Sequence, residues 1–195
     1  MSTAKARPGA ARNSIRIVGG LWRGRRIPFP DLPDLRPTPD RVRETLFNWL
    51  QPVIAGARCL DLFAGSGALG IEALSRGARQ AVFVERSPEA ARALGAQLER
   101  LGAGARGEVH CRDAQAFLRG AAVPFDVVFL DPPFGSRLLP DVLPLLEERG
   151  WVAPGGRVYV ESARADGAPP LPHGWTLLRS KSAGEVGYHL ARREE

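Results

Sequence analysis

The stretch DLFAGSGALG, residues 61–70, decides the fold. An apolar run, Arg58 to Phe63, leads into it, a helical pattern, Ala68 to Arg76, leads out, and Gly65-x-Gly67-x-x-Gly70 lies between. Glycines between a strand and a helix mark a sharp turn that a ligand approaches closely, because no Cβ stands in the way. Glu85 closes the next apolar run, 20 residues after Gly65, which completes the dinucleotide-binding fingerprint as it is usually written. Downstream the two periodicities alternate, with strands expected over 80–85, 107–111, 126–131 and 157–161 and helices over 88–101, 113–119 and 138–149. That alternation predicts an α/β protein with a mostly parallel sheet and helices on both faces. The segments 175–180 and 186–191, separated by KSAGE, predict a terminal antiparallel pair.

The ligand is chosen by charge. A pyrophosphate at the helix start would be repelled by Asp61, near the carboxyl end of the same strand, whereas the ammonium and sulfonium of S-adenosylmethionine are favoured by an anionic neighbour. Glu85 can accept hydrogen bonds from ribose hydroxyls of either ligand and does not discriminate. Asp113, in HCRDAQAFL, can receive an adenine amino group or cap the helix that follows, and both can be true.

DPPF, residues 131–134, puts a carboxylate at the end of an apolar run and then two prolines and an aromatic ring. The prolines alone make a rigid turn. In a doubly wound sheet the ends of the first and fourth strands are neighbours, so Asp131 emerges beside the ligand of the glycine loop. An exocyclic base amine is a poor nucleophile because its lone pair is delocalised into the ring. The Asp131 carboxylate and the Pro132 carbonyl can accept its two N–H bonds and turn the lone pair toward a methyl group, while Pro133 stiffens the carbonyl and Phe134 stacks on the base.

Outward from these motifs, 195 residues with 44% apolar content suffice for one main core. No apolar run is long enough for a membrane span and the first 13 residues lack a signal-peptide block, so a cytoplasmic protein is expected, with no membrane partner. Cys59 and Cys111 both fall in apolar segments and read as inert core thiols, and no metal site is expected. Lys5, Arg7, Arg12, Arg16, Arg23, Arg25 and Arg26 precede the first acid, Asp31, and the remainder is near neutrality. Such an arm suits a polyanion. Residues 1–13 read as a disordered basic arm. From Ser14 onward, short strands around Gly19-Gly20 display Arg16, Arg23, Arg25 and Arg26 on a hairpin that is expected to contact RNA. A proline-rich connector, 28–40, then leads to a helix for which Thr38 is the expected cap and Pro39 the first residue, ending near Gln51-Pro52.

Together RIVGGLWRGRRIPFP, RPTPDRVRETLFNWL, DLFAGSGALGIEALSRGA, DPPF and GEVGYHL resemble the RsmD family of 16S ribosomal RNA guanine-N2 methyltransferases, over about Arg16 to Leu190. The resemblance implies a Rossmann-like class I methyltransferase with a seven-stranded sheet, covering 51–195, behind an RNA-contacting hairpin and helix, 14–50. It implies S-adenosyl-L-methionine as donor and a guanine of small-subunit RNA as acceptor, within an assembled particle, and a monomer is expected. It places Asp61, Gly65 and Gly67 around the methionine moiety, Glu85 on the ribose, and Asp113 with Ala114 near the adenine. Thr38 and Arg43 approach the donor carboxylate, although a helix cap and a surface salt bridge from Arg43 to Glu44 or Asp40 explain them nearly as well. Three rivals stand beside this reading: another amine methyltransferase acting on adenine N6 or a protein glutamine, a nicotinamide-dependent oxidoreductase, and an RNA-binding assembly factor without chemistry.

Overall fold

The computed structural model describes residues 13–33, 35–133 and 135–195. Phe134 and nearly all of the expected arm, with Lys5, Arg7 and Arg12, lie outside the described residues. In chain order the elements are β1 (Ser14–Arg16), β2 (Arg26–Pro28), α1 (Asp40–Ile54), β3 (Arg58–Asp61), α2 (Ala68–Ser75), β4 (Gln80–Glu85), α3 (Pro88–Arg100), β5 (Gly107–Cys111), α4 (Ala114–Leu118), β6 (Phe125–Leu130), α5 (Leu139–Glu148), β7 (Val152–Ala163), β8 (Trp175–Ala183) and β9 (Val186–Arg193). Seven strands form one sheet in the order β5-β4-β3-β6-β7-β9-β8. β3 to β7 run parallel, and β9 pairs antiparallel with both β7 and β8. The chain moves outward from β3 through β4 to β5, then returns to place β6 on the other side of β3. That reversal leaves a crevice at the carboxyl ends of β3 and β6.

The inner strands are apolar at nearly every position because helices cover both faces. Phe83 and Phe129 point into one core with Leu46, Phe47 and Ile71 of α1 and α2, while Val82, Val84, Val128 and Leu130 point into the other with Phe117, Leu146 and Trp151. Two glycines of the loop are required by packing. A Cβ on Gly67 would lie 2.4 Å from Leu94 Cδ1, and one on Gly70 would lie 2.2 Å from the Phe83 ring, so α2 could not sit this close to β4 and α3.

Several expectations are corrected by tertiary partners. Helix α1 begins after Pro39, which occupies the N-cap position without a side-chain bond, and runs through Pro52 to Ile54, whose burial holds the last turn. Thr38 is not a cap; its hydroxyl is engaged elsewhere. Gly19 and Gly20 do not form a free hairpin turn: the β1–β2 ladder has three pairs, and the chain between them docks on α2. Val18 and Gly19 N–H donate to the Glu72 carboxylate at 2.8 and 2.7 Å, Leu21 N–H donates to Ser75 O at 2.7 Å, and Trp22 N–H donates to Ser75 Oγ at 3.0 Å. At Gly20, φ is +76° and a Cβ would lie 1.9 Å from Ser75 O, so only glycine permits the approach.

Arg43 does pair with Asp40, at 2.5 Å, but not on the surface: the side chain is buried and also donates to Thr38 O, Arg16 O and Glu72. β8 and β9 are longer than expected, because Lys181, Ser182 and Ala183 continue the ladder opposite Tyr188, Gly187 and Val186 and only Gly184-Glu185 turns, and β7 is longer because Val152 pairs with Phe125 and its last residues, Ser162 and Ala163, pair with Gly187 and Val186. Cys59 is buried, but Cys111 is exposed at the end of the edge strand β5, which among the described residues pairs with β4 alone. Among the described residues, no helix is long and apolar enough to cross a membrane.

Candidate active site

A cavity of about 670 Å³ opens at the carboxyl ends of β3, β4 and β6. That is the size of a small-molecule site. It is lined by Asp61 and the turn 63–66, by Glu85, by Asp113 with Ala114, by Asp131 with Pro132 and Pro133, and by Leu32, Pro33, Leu35 and Thr38 of the connector. Of the twelve expected catalytic and donor-binding residues, nine line this cavity. Gly67 shapes the turn from behind, at φ +77°, Arg43 stands outside the walls, and Phe134 is outside the described residues.

The glycine turn is tied to the acids around it. Glu85 Oε2 accepts the Gly65 N–H at 2.8 Å and Oε1 accepts the Ser87 N–H at 2.7 Å, which fixes the loop and the strand exit while each oxygen keeps a lone pair for a ligand hydroxyl. Asp61 Oδ2 accepts the Gly70 N–H at 3.0 Å. Burial, against that bond and with the nearby Glu85 charge, pushes the Asp61 carboxyl from 3.8 up to about 7. Asp113 caps α4 by accepting the Ala116 N–H at 3.0 Å through Oδ1, and it also stands on the cavity wall.

Asp131 is held from behind by a group the sequence did not reveal. Thr38 Oγ1 contacts Asp131 Oδ2 at 3.3 Å and Glu161 Oε1 at 3.0 Å, and the Tyr159 hydroxyl donates to that same Glu161 oxygen at 2.9 Å. Burial, then the charges of Glu161 and Asp61, raise the Asp131 carboxyl well above its ordinary range, with the Thr38 bond opposing. Burial also raises Glu161, against the bonds from Tyr159 and Thr38. Glu161 had a signal: it closes the apolar run VYV as Glu85 closes AVFV. The cavity is lined by four carboxyls, Asp61, Glu85, Asp113 and Asp131, and three arginines, Arg36, Arg86 and Arg112, and the acids at the ends of β3 and β6, Asp61 and Asp131, are the part of its wall suited to a cationic group. Among the described residues, no group of three or more His, Cys, Asp or Glu side chains is arranged to hold a metal ion.

Arg16, Arg23, Arg25 and Arg26 are all exposed on the docked hairpin. Arg16 pairs with Asp40 at 3.2 Å and Arg26 reaches Ser14 Oγ at 3.4 Å. A second hollow of about 450 Å³, bordered by Arg16, Arg26 and Phe29, shares Pro37 and Thr38 with the main cavity. Arg16 and Arg26 therefore line a hollow that adjoins the main cavity, and Arg23 and Arg25 are not part of either wall.

The family described as Conserved hypothetical protein 95 matches residues 15–192. Over 180 residues the chain is 52% identical to the Ribosomal RNA small subunit methyltransferase D of Escherichia coli (strain K12), covering 92% of this chain and 90% of that one. It is 45% identical to the protein of the same name from Haemophilus influenzae, covering 92% and 94%. The solved structure of a putative methyltransferase, yhhF, from Escherichia coli superposes with a TM-score of 0.88 at 49% identity, over 93% of this chain and 99% of that one.

Proposed function

The chain belongs to the RsmD family, described as Conserved hypothetical protein 95, and on that premise we propose that this ribosomal RNA methyltransferase acts on the exocyclic N2 amine of a guanine in 16S RNA. S-adenosyl-L-methionine is the methyl donor, and the cavity residues fit it: Asp61 offers a carboxylate to the ammonium, and Glu85 has free lone pairs for ribose hydroxyls. Asp131 receives one amine N–H and the Pro132 carbonyl the other. With both N–H bonds held, the nitrogen lone pair is no longer conjugated with the ring and faces the methyl group. Pro133 fixes the direction of that carbonyl, and Phe134 is assigned to stacking on the base. Leu32, Pro33 and Leu35 in the cavity wall limit water at the reacting atoms. Asp113 and Ala114 border the adenine end.

The observation that carries this reading is that Asp131-Pro132-Pro133 and the Asp61 glycine turn face one cavity from adjacent strands. The exposed arginines dock the RNA; the substrate is the small-subunit particle, met in the cytoplasm, and one copy of the chain suffices. A nicotinamide ligand is disfavoured by Asp61, which would face its pyrophosphate. Replacement of Asp131 by Ala is expected to keep donor affinity within a few fold while methyl transfer falls by at least ~100-fold, the size of losing one preorganised polar group. Digestion of methylated RNA to nucleosides followed by mass analysis reads the acceptor: N2-methylguanosine is expected, and N6-methyladenosine would move the chain to the rival amine chemistry.

A further inference from the structure

Three short contacts join the acids behind the reacting amine. Thr38 Oγ1 bridges Asp131 Oδ2 and Glu161 Oε1 at 3.3 and 3.0 Å, and Tyr159 Oη lies 2.9 Å from the same Glu161 oxygen. A hydroxyl carries one proton and a carboxylate none. With both acids ionised, Thr38 and Tyr159 bring two protons to three contacts. The Thr38 proton serves one neighbour, so the longer contact, to Asp131, is a hydrogen bond only when one of the two acids keeps a proton. Either acid can hold it, because Thr38 Oγ1 accepts on one side and donates on the other.

The surroundings favour keeping it. Asp61 from β3 is a further acid facing Asp131, and Tyr188 from β9 stands opposite Glu161 and adds no positive charge. Arg43 from α1 reaches the Thr38 carbonyl, but its other donors are committed to Asp40, Arg16 O and Glu72. Burial raises both carboxyls, and the charges of Glu161 and Asp61 raise Asp131 further.

We propose that Asp131, Thr38 and Glu161 hold one proton that leaves when the donor's sulfonium enters beside Asp131 and is replaced by the proton that the base amine gives up. The proposal rests on the amine-methylation reading above. In the transfer the carbon–sulfur bond breaks with its electron pair left on sulfur, and the amine lone pair forms the carbon–nitrogen bond. One N–H bond then breaks, its pair returns to nitrogen, and its proton passes to Asp131, from which Thr38 can hand one on to Glu161. The acids end with the single proton they began with. The proton of the overall reaction therefore reaches solvent when the donor binds, before any RNA is methylated, and Glu161 is a positioning residue acting through Thr38.

Titration calorimetry of the purified chain with S-adenosylmethionine and with S-adenosylhomocysteine, at pH 7.5 in two buffers of different ionisation enthalpy, counts the protons. Both compounds carry the ammonium that faces Asp61, so its contribution cancels and the sulfonium alone differs. The wild type should release about one more proton with the sulfonium compound. In Glu161→Gln the amide supplies the third donor as an N–H that cannot leave, and Asp131→Asn does the same from the other side. In each variant the difference should vanish, and either one decides if the other does not fold. Equal counts in the wild type, or a difference that survives in a folded variant, would overturn the proposal, and a chain that binds neither compound overturns it together with the donor assignment. Calorimetry uses no RNA, so a proton difference alongside a product other than N2-methylguanosine would remove only the guanine assignment.

Discussion

Replacing Glu72 by Ala should unpin the N-terminal hairpin without touching the donor cavity. The carboxylate is buried in the middle of α2 and takes four donors: Val18 and Gly19 N–H, Arg43 Nη1 at 3.3 Å and Arg76 Nε at 2.8 Å. Its loss leaves the Arg43 guanidinium buried with one partner fewer and two backbone N–H groups unpaired. Removing one side of a buried pair costs about 3–5 kcal/mol, a large share of the roughly 5–15 kcal/mol that holds a domain together. At about 2–4 °C per kcal/mol for a chain of this size, the melting temperature should fall by roughly 6–20 °C. Urea unfolding followed by tryptophan fluorescence gives the free energy, and limited trypsin digestion at Arg23, Arg25 and Arg26 reports release of the hairpin. Glu72 is not a cavity wall, so donor affinity should stay within a few fold, while methylation of RNA falls with the hairpin. Glu72→Ala combined with Arg43→Ala should cost less than the two singly, because the second change removes a charge already stranded. A loss below about 1 kcal/mol with unchanged digestion would show that the hairpin is held elsewhere.

S-adenosylhomocysteine should bind with level affinity above about pH 7 and up to about tenfold more weakly per unit below it, since protonation removes the Asp61 charge that meets the ammonium; Asp61→Asn should flatten that profile, and a flat wild-type profile would refute the assignment. The same raised carboxyl works against the ligand-free fold, which should lose stability as pH climbs from about 4 through about 7; Asp131 and Glu161 add to this loss, so Asp61→Asn should make the slope shallower in urea titrations without abolishing it. Changing Arg16, Arg23, Arg25 and Arg26 together to Gln should raise the apparent KM for RNA and flatten the log–log salt dependence of binding by roughly 0.7–0.9 per lost phosphate contact, with donor affinity unmoved; an unchanged slope would send the search for the docking face to Arg41, Arg137, Arg179 and Lys181.

What was legible in the sequence was what is local. Asp61, Glu85 and Asp131 could be placed because each closes an apolar run, and the end of a strand is where an α/β sheet puts its ligand. Asp113 could be placed because a cap is decided within three residues. Thr38 was misread for the same reason: proline and aspartate beside it look like a helix start, but its partners are 93 and 123 residues away. Arg43 looked exposed beside Asp40 and Glu44, yet its deepest partner, Glu72, lies 29 residues on. Glu72 did carry a trace, a lone charge in the apolar helix ALGIEALS, where an isolated carboxylate is tolerated only when paired. Cys111 shows the opposite failure, since an apolar run does not reveal whether its strand will have a neighbour on each side.

The position of β9 has a consequence for the order in which the molecule can be made. β9 lies between β7 and β8, yet follows both in the chain. As the nascent chain emerges, β7 can pair with β6 at once, but its other edge stays bare until synthesis has passed Val186–Arg193. That bare edge carries Tyr159 and Glu161, and the strand that covers them also brings Tyr188, on which Trp49 of α1 stacks at 5.5 Å. Translation therefore completes the back of the catalytic pocket last, and a ribosome paused before β9 would hold a chain with an open, unpaired sheet edge, free to pair with the wrong partner.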